Sequence, residues 1–211
     1  MFKKISAAIE GLTSGEPTVN PERFGDPMAL HTDWSPLCGG GSNFRSHKLD
    51  CSDANRWAFK VSIGAILFGS FFIGVGLGVI ALSFWQDEKV LFMRAFGLVF
   101  AVAGSALLLG MSTPTVFDKQ RGYFHKGRKR PEATFDRSKL KHYTELERIH
   151  ALQLLAERVR SKNGSYLSYE LNLVLIDGSR INVTDHGGHA GIRDDARKLA
   201  EFLDKPLWDA T

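Results

Sequence analysis

Cysteine is scarce in this chain. Cys38 and Cys51 are the two thiols among 211 residues, too few for a disulfide framework and not spaced as the CxxC pair that metal or redox chemistry uses. Both are expected to be reduced. A secretory leader is also missing from the expected pattern: Met1 to Leu12 carries Lys3 and Lys4, but Glu10 interrupts it and no adequate apolar core or cleavage site follows. The net charge of +4 comes without a helix-turn-helix, zinc-finger or aromatic-basic RNA motif. A nucleic-acid partner is therefore not expected.

What the sequence does contain is an apolar centre. Mean hydropathy is −0.12 only because polar flanks offset it. Val61 to Trp85 holds 25 residues without a charge, more than the ~20 needed to span a bilayer as a helix. A second uncharged run, Ala95 to Phe117, is most apolar between Phe96 and Met111 and ends at Thr113-Pro114, a helix stop. Two such lengths in succession predict a transmembrane hairpin rather than a buried core helix.

The connection from Gln86 to Arg94 is nearly balanced in charge, whereas Arg56 and Lys60 precede the hairpin and a basic run follows it. Positive residues favour the cytoplasm, so both termini are expected there in a multi-pass protein. Trp57 and Trp85 flank the first segment, where indole rings favour headgroups. Gly74 and Gly78 have GxxxG spacing, and Gly97 and Gly104 offer small surfaces on the second helix; these glycines are expected to pack the hairpin on itself or to form a homodimer. Neither segment has an ionisable residue in its interior, which argues against an ion or proton pathway.

Residues 1–56 are rich in Gly and Pro and are expected to be largely irregular; Phe2, Ile5, Ile9 and Leu12 could form a short surface helix. Residues 57–114 are assigned to the hairpin and 115–211 to a soluble domain. In that domain Thr115-Val116-Phe117 and Tyr123-Phe124-His125 read as strands around Gly122. Tyr169, Leu171, Leu173 and Leu175 alternate onto one face, and Asp177-Gly178 marks a hairpin turn before Ser179 to Thr184. Ile192, Ala196, Leu199 and Leu203 make one stripe of a closing helix over Asp194 to Asp204, with Lys205-Pro206 ending it. Ile149 to Val159 fits helix or strand, and local propensity favours helix. The class is thus an α+β membrane protein.

Phe117-Asp118-Lys119-Gln120-Arg121-Gly122, Tyr169 to Asp185, the helix from Ile192 to Leu203 and the closing Pro206-Leu207-Trp208 resemble the pleckstrin-homology-like (PH-like) domains of uncharacterised bacterial inner-membrane proteins. The resemblance covers roughly residues 112 to 211, with a looser likeness at Trp34, the triple glycine and Asn43-Phe44-Arg45. It implies a small antiparallel sheet domain closed by a C-terminal helix, a strand across Leu146 to Arg158, and a lipid- or protein-binding role without an activity. No phosphoinositide-binding signature lies between the first strands.

From Asp118 to Lys141 nine Lys or Arg face three acidic residues. Lys119, Arg121, Lys126, Arg128, Lys129 and Arg130 are the candidate patch for anionic lipid headgroups, each cation near the surface contributing about 1 kcal/mol. His186 and His189, with Asp185, Asp194 and Asp195, are the metal candidates, but HxxH without the helical Glu is equally a polar turn into a helix. Gly39-Gly40-Gly41-Ser42 lacks the Lys of a phosphate loop and reads as linker. Ser35-Pro36-Leu37-Cys38 has no apolar export segment before it, and Cys38 no assignable base. Trp208 is expected to pack on the closing helix. No cofactor is expected. The leading expectation is a non-catalytic membrane-anchored binding or scaffold protein, with an accessory subunit of a larger membrane complex as alternative and a metal-dependent enzyme at His186 and His189 as a third reading.

Overall fold

The computed structural model describes residues 19–85, 90–129, 131–136, 140, 142–161 and 164–211. The expected surface helix through Phe2, Ile5, Ile9 and Leu12 lies outside the described residues. A short helix, α1 (Pro27–His31), starts on the Asp26 carboxylate, which accepts from the Met28 N–H. Five short strands then form the first sheet in chain order: β1 (His47–Asp50), β2 (Arg56–Val61), β3 (Thr115–Asp118), β4 (Tyr123–Lys126) and β5 (Tyr143–Glu145). Each is antiparallel to the next.

The segment expected to be irregular up to residue 56 therefore supplies β1 and the start of β2, and the helical hairpin begins at Ile63 rather than Trp57. The reason is a long-range pairing. Leu49 and Phe59 bury against Phe117 and Phe124, which follow the hairpin in sequence, and no local propensity reports that partnership. Trp57, expected among headgroups, points inward and stacks on Phe202 with ring centroids 4.1 Å apart.

Between β2 and β3 stand two helices long and apolar enough to cross a membrane, α2 (Ile63–Leu82) and α3 (Val90–Met111). Ser62 caps the first, its Oγ accepting from the Ala65 N–H at 3.1 Å while donating to the Arg45 carbonyl at 2.7 Å. Ile63, Leu67, Phe71, Leu91 and Phe92 are all more than 60% exposed, unlike the side chains of a core helix. α3 starts before the uncharged run and takes in Arg94, whose Nε donates to Ser83 Oγ at 3.2 Å and whose guanidinium lies over the Phe84 ring.

The helices meet along Gly69 and Gly76 on α2 and Gly97 and Gly104 on α3. A Cβ on Gly104 would sit 2.7 Å from the Gly69 carbonyl oxygen, and one on Gly97 2.6 Å from that of Gly76. Gly74 and Gly78 have nothing within 4 Å and are not in the seam. At roughly 100° per residue, a position two residues from Gly76 lies about 200° around the helix, on its far side.

The second sheet has the order β8-β7-β6-β9, from β6 (Ile149–Ser161), β7 (Gly164–Leu175), β8 (Arg180–His186) and β9 (Leu207–Asp209), with β9 parallel to β6. β6 is a strand where local propensity favours helix. A register shift between Ile149 and Ala151 puts Ile149, Leu152 and Leu154 on the inner face and Ala151 on the outer one. This bulge breaks the alternation and hides the strand period. The C-terminal helix α4 (His189–Leu203) begins five residues before its expected start and buries Ile192, Ala196, Leu199 and Leu203 in the core between the sheets. A smaller cluster covers the outer face of the second sheet, where Phe24, Met28, Ala29 and Trp34 meet Ala151, Val174 and Trp208. Trp208 is 2% exposed, but it packs against β6 and this cluster and not on the closing helix as expected.

Candidate functional site

The basic run does not form one continuous patch, because β4 alternates. Phe124 points into the core, and Lys126, two residues on, follows it. Lys126 Nζ donates to Asn182 Oδ1 at 2.7 Å, between the sheets. Burial lowers its pKa, opposed by nearby Asp185. Lys126 is thus an internal cation, not a lipid-facing one. Lys119 lies with Nζ 4.5 Å from the centre of the Phe202 ring. Arg121 binds Asp118 at 3.1 Å and Glu132 at 3.6 Å. Arg128 donates to the carbonyl of Leu109 near the end of α3, Lys129 is exposed, and Arg130 lies outside the described residues.

On the outer face of the first sheet a cleft of about 870 Å³ opens beside α3. Leu109 and Ser112 close its helical end, Val116, Tyr123 and His125 form the floor, and Arg56, Arg121 and Arg128 line it together with Glu132. Tyr123 donates its hydroxyl to Glu132. Burial first, then that carboxylate, pushes the phenol up to about 12, so it stays protonated. Burial pulls the His125 imidazole down. At neutral pH the cleft therefore carries three guanidinium groups against one carboxylate at its rim.

The histidines do not converge. His186 is fully buried, with Nδ1 accepting from the Gly188 N–H at 3.2 Å and Nε2 without a hydrogen-bond partner among the described residues. His189 stacks on Tyr169 and shares a hydrogen bond of 2.9 Å between Nε2 and Thr211 Oγ1. Asp194 pairs with Lys198 and Asp195 with Arg45, each at 2.6 Å. Among the described residues no three His, Cys, Asp or Glu side chains are grouped to hold a metal.

Burial, and then Arg45 and His47, press the His186 imidazole down to about 4 from an ordinary 6.5. Unfolded chains accordingly take up a proton that the folded chain refuses, so this contribution is complete above about pH 6.5 and is lost as pH falls towards 4. Thermal melts of the full chain in detergent are expected to show a loss of up to about 3 kcal/mol across that window. His186→Asn flattens the profile; an unchanged pH slope would contradict the assignment.

Sequence reasoning missed a strap. Residues 33–44, read as linker around the triple glycine, lie along the second sheet. The Leu37 and Cys38 N–H groups donate to the Glu170 carboxylate at 2.9 and 2.8 Å, and Gly40 N–H to Glu157 at 3.0 Å. The Gly41 carbonyl accepts from Tyr166 at 2.9 Å. A Cβ on Gly41 would collide with Ser168, so the third glycine is a close approach and not a flexible joint. Burial and Glu170 raise the Cys38 thiol, which makes it a poorer nucleophile. The one sequence signal was a Glu and an Asn, Glu170 and Asn172, alternating with leucines on a strand; both are buried.

No family model matches this sequence, and no curated protein is significantly similar to it.

Proposed function

We propose that this chain is a two-pass membrane protein that holds a PH-like binding module flat against the cytoplasmic face of a bacterial inner membrane, as a scaffold and not a catalyst. The observation that carries the reading is where the hairpin enters and leaves. α2 follows β2 and α3 precedes β3, and these strands are hydrogen-bonded neighbours, Phe59 opposite Thr115. Both helices then emerge from the same end of two neighbouring strands, which puts the whole folded body on one side of the bilayer. Rigid attachment raises the local concentration of the module at the membrane.

The apolar, exposed surface of the helices supports insertion, since contiguous patches of this extent are rare on water-soluble monomers. The PH-like reading is supported by the antiparallel strands, by β6 lying between the two hairpins and by the C-terminal helix; β1 and β2, from before the helical hairpin, and the parallel β9 are additions to the expected sheet. Arg56, Lys60, Arg128 and Lys129 all lie on the domain side of the hairpin and favour a cytoplasmic placement next to anionic lipid. A second reading, an accessory subunit of a larger membrane complex or a homodimer, is favoured by Gly74 and Gly78 facing away from α3.

Purification of the tagged chain at native abundance in a mild membrane mimetic, with mass spectrometry of what accompanies it, tests the proposal. A reproducible protein partner or anionic phospholipid is expected. A chain recovered from the soluble fraction would overturn the membrane reading, and a stoichiometric set of core subunits would favour the second one.

A further inference from the structure

The cleft on the first sheet and a groove on the hairpin share a wall. Between α2 and α3 runs an apolar groove of about 360 Å³, with Ile73 and Leu77 on one side and Ala101, Val102, Ser105, Ala106 and Leu109 on the other. Leu109 also closes the helical end of the arginine-lined cleft. From Ala101 to Leu109 the helix rises about 12 Å, close to the roughly 15 Å of one leaflet's hydrocarbon. The groove therefore opens in the leaflet nearest the sheet and reaches to about the midplane, since Leu77 on its other wall stands roughly 21 Å along α2 from Ile63. Its α3 side follows helical spacing at 102, 105, 106 and 109, and small side chains at Ala101, Ser105 and Ala106 make the depression.

At the top of the groove the chemistry changes within one residue. Arg128 donates to the Leu109 carbonyl, so its guanidinium is held where the apolar wall ends. Ser112 adds a hydroxyl, and Arg56 continues the positive lining away from the helices, with Arg121 beyond it already paired with Asp118 and Glu132. Guanidinium forks match phosphate oxygens in a way that single ammonium charges do not. An apolar groove alone selects nothing inside a bilayer, where every neighbour is apolar. A groove that ends in a cationic cleft selects a molecule with both parts.

We propose that the chain holds one anionic phospholipid at this composite site, an acyl chain in the α2–α3 groove and the phosphate and headgroup in the cleft lined by Arg128, Arg121 and Arg56. The inference rests on the membrane placement argued above and goes further, from general attraction of a basic surface to a bound lipid molecule. It also gives the hairpin a second role, as half of a binding site.

The test reconstitutes the full chain in vesicles of phosphatidylcholine containing phosphatidylglycerol, transfers it to detergent, and counts retained phospholipid by native mass spectrometry. Wild type retains about one phosphatidylglycerol per chain. Ala106→Phe and Ser105→Leu fill the groove without touching a charge, and Arg128→Gln removes the cation at the junction; each is expected to cut retention about tenfold. Leu67→Phe, 64% exposed on α2 and turned away from Ile73 and Leu77, leaves it unchanged. An excess of inorganic phosphate does not displace the lipid. Retention unaffected by both groove variants, no retained lipid in wild type, or displacement by inorganic phosphate would each overturn the composite site. Carbonate extraction of the same vesicles separates the two claims: a chain that resists extraction but retains no lipid sinks the site alone, and an extractable chain sinks the membrane reading with it.

Discussion

Gly76→Leu is expected to unseat the helical hairpin, while Gly74→Leu, two residues away, is expected to do almost nothing. A Cβ at Gly76 would collide with the Gly97 carbonyl oxygen and lie 2.5 Å from the Ala101 amide nitrogen, both backbone atoms that cannot rotate aside. Relief requires moving one helix away from the other along the seam shared by Gly69, Gly76, Gly97 and Gly104. Overpacking of this kind costs about 3 kcal/mol, and more where backbone must move. Gly74 has open space around it, so a leucine there adds one more lipid-facing side chain, with an effect within about 0.5 kcal/mol. Thermal melts of both variants in one detergent make the comparison. Equal loss at the two positions would mean that GxxxG spacing, and not the observed seam, governs the packing.

The second large effect is expected at Glu170, a carboxylate 1% exposed that accepts from Leu37 N–H, Cys38 N–H and, at 2.5 Å, Asn172 Nδ2. Glu170→Ala removes the anchor of the strap and leaves Asn172 without this acceptor. Hydrogen bonds to a charged group are worth about 1.5–3 kcal/mol each, and water can reach the freed strap amides, so a net loss of about 3 kcal/mol is expected. Glu170→Gln keeps one carbonyl oxygen and should cost roughly a third as much. The strap has its own reporter: Cys38 is exposed and next to the anchor, and its alkylation should accelerate in Glu170→Ala well below the melting temperature. Wild-type stability and unchanged Cys38 alkylation in that variant would show that the strap is held by something else.

These two sites also mark what a sequence can and cannot report. The hairpin was legible because length and absence of charge are local properties. Its seam was legible on one helix only: Gly97 and Gly104 pack as expected, but against Gly69 and Gly76, also seven residues apart, while the familiar four-residue spacing of Gly74 and Gly78 falls on the outside. The hairpins turning at Gly122 and Gly178 were legible from turn chemistry, since both glycines take positive φ, 70° and 80°. β6 was obscured by its bulge, β2 by having its partner β3 beyond the hairpin, and β1 by depending on β2. Counting cations placed Lys126 in a surface patch, although strand alternation from Phe124 sends it inside. Of the metal candidates, Asp194 and Asp195 each hold a cation of this chain, Lys198 and Arg45. The strap's own residues left no trace, because a glycine run that approaches a sheet closely and one that links two domains have the same composition; its one signal lay on the strand it covers, at Glu170 and Asn172.

The central claim is that the folded body sits on one side of a bilayer crossed twice by α2 and α3. Cys38 and Cys51 are exposed on that body, and Trp85, 81% exposed, marks the opposite end of the hairpin. Labelling with a membrane-impermeant maleimide in sealed, right-side-out bacterial membrane vesicles tests the claim directly. Wild-type Cys38 and Cys51 should react only after the vesicles are opened, whereas Trp85→Cys, in a background carrying Cys38→Ser and Cys51→Ser, should react while they are sealed. Labelling of Cys51 and of the Trp85→Cys variant from the same side would contradict the account.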